Sequence, residues 1–392
     1  MASRFVALPV GQGDSFYLFR NGYHFLVDGG RSEHALPNML MKHVDPPHLD
    51  VVVCTHNDAD HANGIIGLLQ EQPVPIKEVW LPGSWTWRMD DLISRPYRFL
   101  DELADDIDHV DTNVNSLEEY FDLEQENIQF QVRSGEFNRI QEGNEHADEW
   151  LLDIFERREN RSDDALVYEM GWPYISRSHP WPLRLHERLI RLWLECIDAA
   201  DRIKKIAEAA LHAGARIRLF EFVSDSQKGL GGWPDHLKPV NSHEVSPKRF
   251  QISALHYLAL TVANKESLVF WAPERKAGGI PGVLFTADND LACGLQHISQ
   301  PSTNVIVTAP HHGSESNRVA YTTVSAWNSK EKTIWIRSDS RSQKRPGPSY
   351  KNQPKRICTL CSPPIFPKSV VRLHSNKFYW NRTRGTRWCS CK

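Results

Sequence analysis

The sequence predicts a mixed α/β (α+β) chain: two facing sheets with helices outside, an αββα sandwich, interrupted by a helical insertion and followed by a basic, cysteine-containing C-terminal tail. Three observations predict it. Strand-like segments come first, a helical block follows, and strand-like segments return. Residues able to hold a metal stand at strand ends on both sides of that block. Beyond Arg337 the composition turns to cations interleaved with aromatic rings.

The opening residues give strands at 4–10 and 15–19, then the tight-turn pair Asn21-Gly22 and a strand at 23–27. The loop Gly11-Gln12-Gly13-Asp14-Ser15 offers backbone N–H groups, a carboxylate and a hydroxyl. It serves either as a substrate contact or as a glycine-rich turn. Asp28-Gly29-Gly30 closes the hairpin.

Residues 51–54 are an apolar, β-branched run that reads as a buried strand. It ends in Thr55-His56-Asn57-Asp58-Ala59-Asp60-His61, which gathers two imidazoles and two carboxylates where a loop enters a helix expected from residue 63. Capping that helix would use one carboxylate, Asp58 or Asp60. Metal binding uses all four side chains.

A short strand is expected at 78–82, then helices at 90–107, 145–159 and 183–213, with Trp150, Trp172, Trp181 and Trp193 as packing residues. Residues 101–126 carry eleven acids, from Asp101 to Glu126, and no Lys or Arg. They form a solvated face or a docking surface for a basic partner. Strands are expected again at 216–222, 251–260, 267–271, 283–286, 304–308 and 333–337. The boundaries are therefore 1–82 and 216–337 for the two halves of the sandwich, 83–215 for the insertion and 338–392 for the tail.

In the tail, Arg341, Lys344, Arg345 and further cations through Lys392 alternate with Tyr350, Phe378, Tyr379, Trp380 and Trp388. That mixture suits contact with a nucleic acid or another polyanion, or else a solvated basic tail. Cys358-Thr359-Leu360-Cys361 and Cys389-Ser390-Cys391 resemble a small zinc ribbon; they are either a candidate structural zinc set or free thiols, one intervening residue in the second pair being short for zinc. Cys54, Cys196 and Cys293 read as reduced core positions. With no signal-peptide pattern and no apolar run of membrane-spanning length, a cytoplasmic protein without membrane contact is expected. The formal net charge of -3 favours no partner class.

His56-Asn57-Asp58-Ala59-Asp60-His61 resembles the His-x-His-x-Asp-His signature of metallo-β-lactamase-like hydrolases, with Asp58 in place of the second histidine. This variant is similar to the hydrolase domain of the bacterial competence (DNA-uptake) channel protein and to phosphorylcholine esterases. Val10-Gly11-Gln12-Gly13-Asp14-Ser15, Leu284-Phe285-Thr286-Ala287-Asp288 and Ala309-Pro310-His311-His312-Gly313-Ser314 match the same subgroup in order. The resemblance implies two divalent ions, zinc or manganese. One would take His56, Asp58 and a bridging Asp288. The other would take Asp60, His61, Asp288 and His312, because the last ligand of the family commonly precedes glycine.

On the same resemblance, Asp28 supports the metal loop without being a ligand, and Asp60 and His311 carry catalysis. Asp14, Ser15 and Ser314 contact substrate. The histidine that usually precedes the bridging aspartate is missing: His243 and His256 stand in no motif, and Asn264 occupies the neighbourhood. Carboxylate in place of imidazole hardens the site toward manganese. Two ions roughly 3.5–4 Å apart can share a hydroxide and bring the pKa of water toward about 7. The implied function is a metal-dependent nuclease or phosphodiesterase; a further reading on the same resemblance makes it one component of a bacterial defence assembly docking through the acidic insertion. The alternatives are a small-molecule esterase or lactonase, or a partner-binding subunit with a vestigial site.

Overall fold

The computed structural model describes residues 3–110, 113–135, 146–159, 187–223, 228–275, 279–339, 345–361, 370–377 and 379–391. Two compact units emerge. One is Met1–Pro82, Ala213–Val245 and Asn264–Lys392; the other is Gly83–His212 and Ser246–Ala263.

The first unit holds two mixed sheets. Strands β1 (Arg4–Ala7), β2 (Phe16–Arg20), β3 (Tyr23–Val27), β4 (Leu49–Val53), β5 (Ile76–Pro82), β6 (Arg216–Phe222), β8 (Ser242–Val245), β14 (Val371–Asn376) and β15 (Tyr379–Arg382) form one, in the order β15-β14-β1-β2-β3-β4-β5-β6-β8. The other is β13-β12-β11-β10-β9-β7, from β7 (Lys238–Pro239), β9 (Phe270–Ala272), β10 (Val283–Phe285), β11 (Val305–Thr308), β12 (Thr333–Arg337) and β13 (Arg356–Cys358). Phe5, Phe16, Phe25, Val51 and Val53 of the first sheet share one buried cluster with Phe270, Phe285, Ile306, Ile334 and Ile336 of the second. The intervening residues Val305, Val307 and Trp335 point the other way and pack with Ala320, Tyr321 and Val324 of the helix Arg318–Trp327. Both faces of the second sheet are therefore apolar, which is why its strands read as continuous hydrophobic runs. This is the α+β sandwich that the sequence predicts.

Asn21 and Gly22, with φ of 53° and 86°, supply the left-handed pair that the β2–β3 hairpin requires. Residues 371–382, placed by sequence in a C-terminal extension, add β14 antiparallel to β1 and β15 beyond it. Two of the tail's rings are core: Tyr350 is 0% exposed and Trp380 3%. Tyr379 and Trp388 remain at the surface, with the Arg382 guanidinium 4.3 Å from the Trp388 ring centre. Arg341, Lys344, Lys368, Phe378 and Lys392 lie outside the described residues.

The second unit is helical. Residues 90–107, read as one helix, form Met89–Ser94 and Pro96–Asp108, because Pro96 lacks an N–H and its ring clashes with the preceding turn. The helices Leu117–Gly135, Ala147–Glu159 and Glu187–His212 follow, with Trp150 and Trp193 buried. Asp111, Trp172 and Trp181 lie outside the described residues.

The strand expected at 251–260 is overturned: Ala254–Val262 is a helix. Glu102 Oε1 accepts from the N–H of Ala254 (3.0 Å), Asp106 Oδ2 from Leu255 (2.9 Å) and Ser253 Oγ from His256 (3.2 Å), so three orphan donors of its first turn are satisfied. All of its residues except His256 are buried, so no polar stripe marks its period. Glu102 also holds Arg88 through both oxygens (2.6 and 2.9 Å). Part of the acidic run is thus turned inward, which favours a structural over a docking role for it.

The helix Ala59–Glu71 passes closely over the end of β3: a Cβ added at Gly64 would lie 1.9 Å from the Gly29 carbonyl oxygen, which is backbone and cannot swing aside. Gly64→Ala is expected to cost about 2–3 kcal/mol by overpacking, read as a lower urea midpoint at an unchanged m-value.

Candidate metal centre

The candidate ligands gather at the ends of strands, on the loops and the helix turn that follow or precede them. Parallel pairing of β3 with β4 sets Val27 beside Val53, so Asp28 and Thr55 emerge side by side. Asp28 Oδ1 accepts from the Thr55 N–H (2.9 Å), and Oδ2 accepts from Thr55 Oγ1 (2.9 Å) and from His61 Nδ1 (2.8 Å). The Thr55 hydroxyl spends its proton on Asp28, so it accepts from His56 Nδ1 (3.0 Å). On the other sheet, β10 and β11 run parallel and deliver Asp288 and the His311–His312 pair to the same place. There Asp14 Oδ1 accepts from His312 Nδ1 (3.1 Å).

Each of the three imidazoles thus donates from Nδ1 and turns an Nε2 lone pair inward. His56 Nε2, His61 Nε2, His312 Nε2 and Asp288 Oδ1 are all buried without a hydrogen-bond partner. Orphaned buried acceptors are costly unless something is bound there. Asp14, His61, Asp288 and His312 can bring ligand atoms within 4.8 Å of one another, as can His56, Asp58 and Asp288. Asp288 belongs to both groups, with Oδ1 3.0 Å from His61 Nε2 and 4.0 Å from His312 Nε2. Asp60 Oδ2 lies 3.2 Å from His312 Nε2. Nitrogen and carboxylate donors converging in this way fit one or more divalent cations.

The charges agree. Burial alone would lower His61, but Asp288 and Asp28 raise it well above the usual imidazole range. Burial opposes and Asp14 and Asp288 likewise raise His312. Burial would raise Asp288, yet His61, His311 and His312 hold it well below the usual carboxylate range. A divalent ion bound there would compete with protons for the same nitrogen and oxygen atoms.

The helix starts at Ala59, four residues earlier than expected, so Asp60 and His61 ride its first turn instead of a loop. Asp58 sits at its N-cap but makes no side-chain cap bond; its carboxylate instead lies 3.7 Å from His56 Nε2. A Cβ at Gly13 would meet the Asp60 carbonyl oxygen at 1.7 Å, and the Asp14 N–H donates to that oxygen (3.1 Å). The glycine loop is thereby pressed onto the metal helix. Asp14, expected to contact substrate, is 1% exposed and oriented toward His312. Ser15 is wholly buried, and Ser314 Oγ caps the turn Glu315–Asn317 by accepting from the Ser316 N–H (3.3 Å). His243 reaches the Lys228 carbonyl, and His256 stacks near Tyr120; neither joins the cluster. Asn264 is buried in a short turn of helix.

Access is from one edge. Side-chain exposure is 30% for Asp58, 15% for Asp60 and 16% for His311, against 3% or less for His56, His61, Asp288 and His312. At this edge Arg345 Nη2 donates to His311 Nε2 (2.8 Å), and no carboxylate among the described residues pairs with Arg345. Burial lowers His311, Asp288 opposes and Arg345 adds to the fall; accepting from a guanidinium requires Nε2 itself to carry no proton. Arg337, 1% exposed, donates Nε–H to the His312 carbonyl oxygen (2.6 Å) and Nη2–H to Asp339 (2.9 Å). Neither arginine stood out in sequence, where both merge into the basic run.

Residues 8–128 match the model of the metallo-beta-lactamase superfamily, so the fold and donor set together support a metal-dependent hydrolase. The chain is 40% identical over 76 residues to microtubule-associated protein 1A of Homo sapiens and of Rattus norvegicus, a stretch covering 19% of this chain and 3% of each of those proteins. It is 36% identical over 87 residues to microtubule-associated protein 1S of Homo sapiens, 22% of this chain and 8% of that protein. The chain thus matches only a small part of the length of these relatives.

Asp28→Asn keeps the size of the side chain but removes the charge that orients His61. Metal affinity is expected to fall about 10–100-fold, measured by competition against a chromophoric chelator, with the far-UV spectrum unchanged.

Proposed function

We propose that this metal-dependent hydrolase is a phosphodiesterase, with nucleic acid as its substrate class. The observation that carries this reading is Arg345 beside His311, a guanidinium without a carboxylate partner among the described residues on the accessible edge of the site. A planar cation with N–H donors to spare suits a phosphodiester oxygen, whereas a neutral ester or lactone has no charge for it to meet. The likeness to the competence-type subgroup points the same way.

His56, Asp58 and Asp288 would hold one divalent ion, and Asp60, His61, Asp288 and His312 a second, zinc or manganese. Bound there, such ions supply a hydroxide at neutral pH and offset charge building on phosphorus. Asp28, Thr55 and Asp14 fix the three imidazoles with Nε2 facing inward. Arg345 receives the phosphodiester oxygen. His311 accepts from Arg345 at Nε2, so it orients the guanidinium, and any proton it passes to a leaving oxygen comes from Nδ1. The donors that are present, His56, Asp58, Asp60, His61, Asp288 and His312, count against a site retained only for partner binding.

The test is metal analysis paired with turnover of a bis-nitrophenyl phosphate reporter, single-stranded DNA, duplex DNA and RNA. Asp60→Ala and Asp288→Ala are expected to lose at least 10³-fold in kcat/KM, on the order of the contribution of a metal-activated nucleophile. Arg345→Ala is expected to raise KM for the phosphodiester about tenfold while leaving hydrolysis of a neutral ester unchanged. Bound metal without phosphodiester cleavage would overturn the nuclease reading and leave the hydrolase standing.

A further inference from the structure

Apart from the histidine–aspartate centre, the four C-terminal cysteines meet. Cys358 ends β13, and Cys361 follows it. Cys389 and Cys391 return from the far end of the chain, anchored where the Cys389 N–H donates to the Arg356 carbonyl oxygen (2.7 Å). The Sγ–Sγ distances are 3.6 Å for Cys358–Cys391 and Cys358–Cys389, and 3.3 Å for Cys361–Cys389 and Cys361–Cys391. All four sulfurs lie within 4.8 Å of one another.

A disulfide would bring two sulfurs to about 2.05 Å. Zinc–sulfur bonds of about 2.3 Å arranged tetrahedrally put the sulfurs about 3.8 Å apart. The observed edges are close to that tetrahedron and far from a disulfide. Backbone N–H groups also point at the sulfurs, from Ser390 to Cys361 Sγ (3.3 Å) and from Cys391 to Cys389 Sγ (3.5 Å), as they would toward thiolates.

The cluster also has a mechanical neighbour. Cys358 is the register partner of Arg337 on β12, and the Thr359 N–H donates to the Arg337 carbonyl oxygen (3.1 Å). The Arg337 side chain in turn holds the carbonyl of His312, whose φ is +53°. A histidine in the left-handed region stays there only when its surroundings fix it.

We propose that Cys358, Cys361, Cys389 and Cys391 form a tetrathiolate zinc centre that clamps the end of the chain onto β13 and, through Arg337, steadies His312. Binding is a simple exchange: one Zn²⁺ enters, four thiols lose four protons, and the centre carries two negative charges. Arg356, whose guanidinium donates to the Cys391 carbonyl oxygen (3.4 Å), stands beside that dianion. Only the second half of the proposal rests on the hydrolase reading.

The full chain reconstituted with cobalt is expected to show the strong sulfur-to-cobalt charge-transfer absorption of a tetrathiolate, and its zinc form to shield four thiols from a thiol reagent. Asp60→Ala should keep that band. Cys389→Ser/Cys391→Ser should abolish it, lose one metal equivalent and weaken metal binding at the histidine–aspartate centre about tenfold. Four freely reacting thiols with no cobalt band, or mapped disulfides, would overturn the zinc centre. These measurements on the wild-type chain decide that point even if the double variant fails to fold, and they do not depend on any hydrolytic turnover. Loss of the band with unchanged affinity at the other centre would overturn the clamp on His312 alone.

Discussion

Fixing each histidine from behind is the constraint on which this site depends. A buried imidazole can present either nitrogen, and three of them in one small space would scatter their lone pairs without direction. Here a carboxylate or hydroxyl behind each ring accepts the Nδ1–H hydrogen bond, and the opposite nitrogens face a common point. Asp28 sits at the end of β3, Thr55 at the end of β4 and Asp14 on the glycine loop before β2. The packing of the sheets serves to keep these acceptors still. Replacing one would leave the ligand present but wrongly aimed.

The local backbone bears the cost of that arrangement. Asp28, Ala287, His311 and His312 all have positive φ, between 45° and 60°, without being glycine. Such residues cost on the order of 1 kcal/mol each. Each is held by its neighbours: the Asp28 N–H donates to the Val53 carbonyl, the His311 N–H to the Ala287 carbonyl, and Arg337 grips the carbonyl of His312. Strain collected at one end of two sheets marks the place where geometry matters more than stability.

The segment His56 to His61 drew notice by residue type and spacing, whereas Asp288 and the His311–His312 pair were reached only through the family resemblance; these side chains stand close together in the structure. Asp14 was noticed, but its true neighbour is 298 positions away, and no local pattern encodes that pairing. Arg337 and Arg345 were hidden in a run of cations whose composition suggested polyanion binding. In the same run Tyr350 and Trp380 read as stacking platforms, yet they fill the core. The helix Ala254–Val262 was misread because a wholly buried segment shows neither the 3.6-residue nor the 2-residue alternation. The two sheets were recovered since most strands are short apolar runs bounded by turns.

The pairing of β1 with β14 has a consequence for synthesis. Phe5 and Leu373 are register partners, so β1 waits for a partner strand made several hundred residues later. During that interval one edge of β1 has its hydrogen-bonding groups uncovered, which is the surface on which nascent chains pair with each other. A product truncated before Val371 would carry this open edge permanently. Cellular quality control would then meet an aggregating fragment, not merely a shorter enzyme.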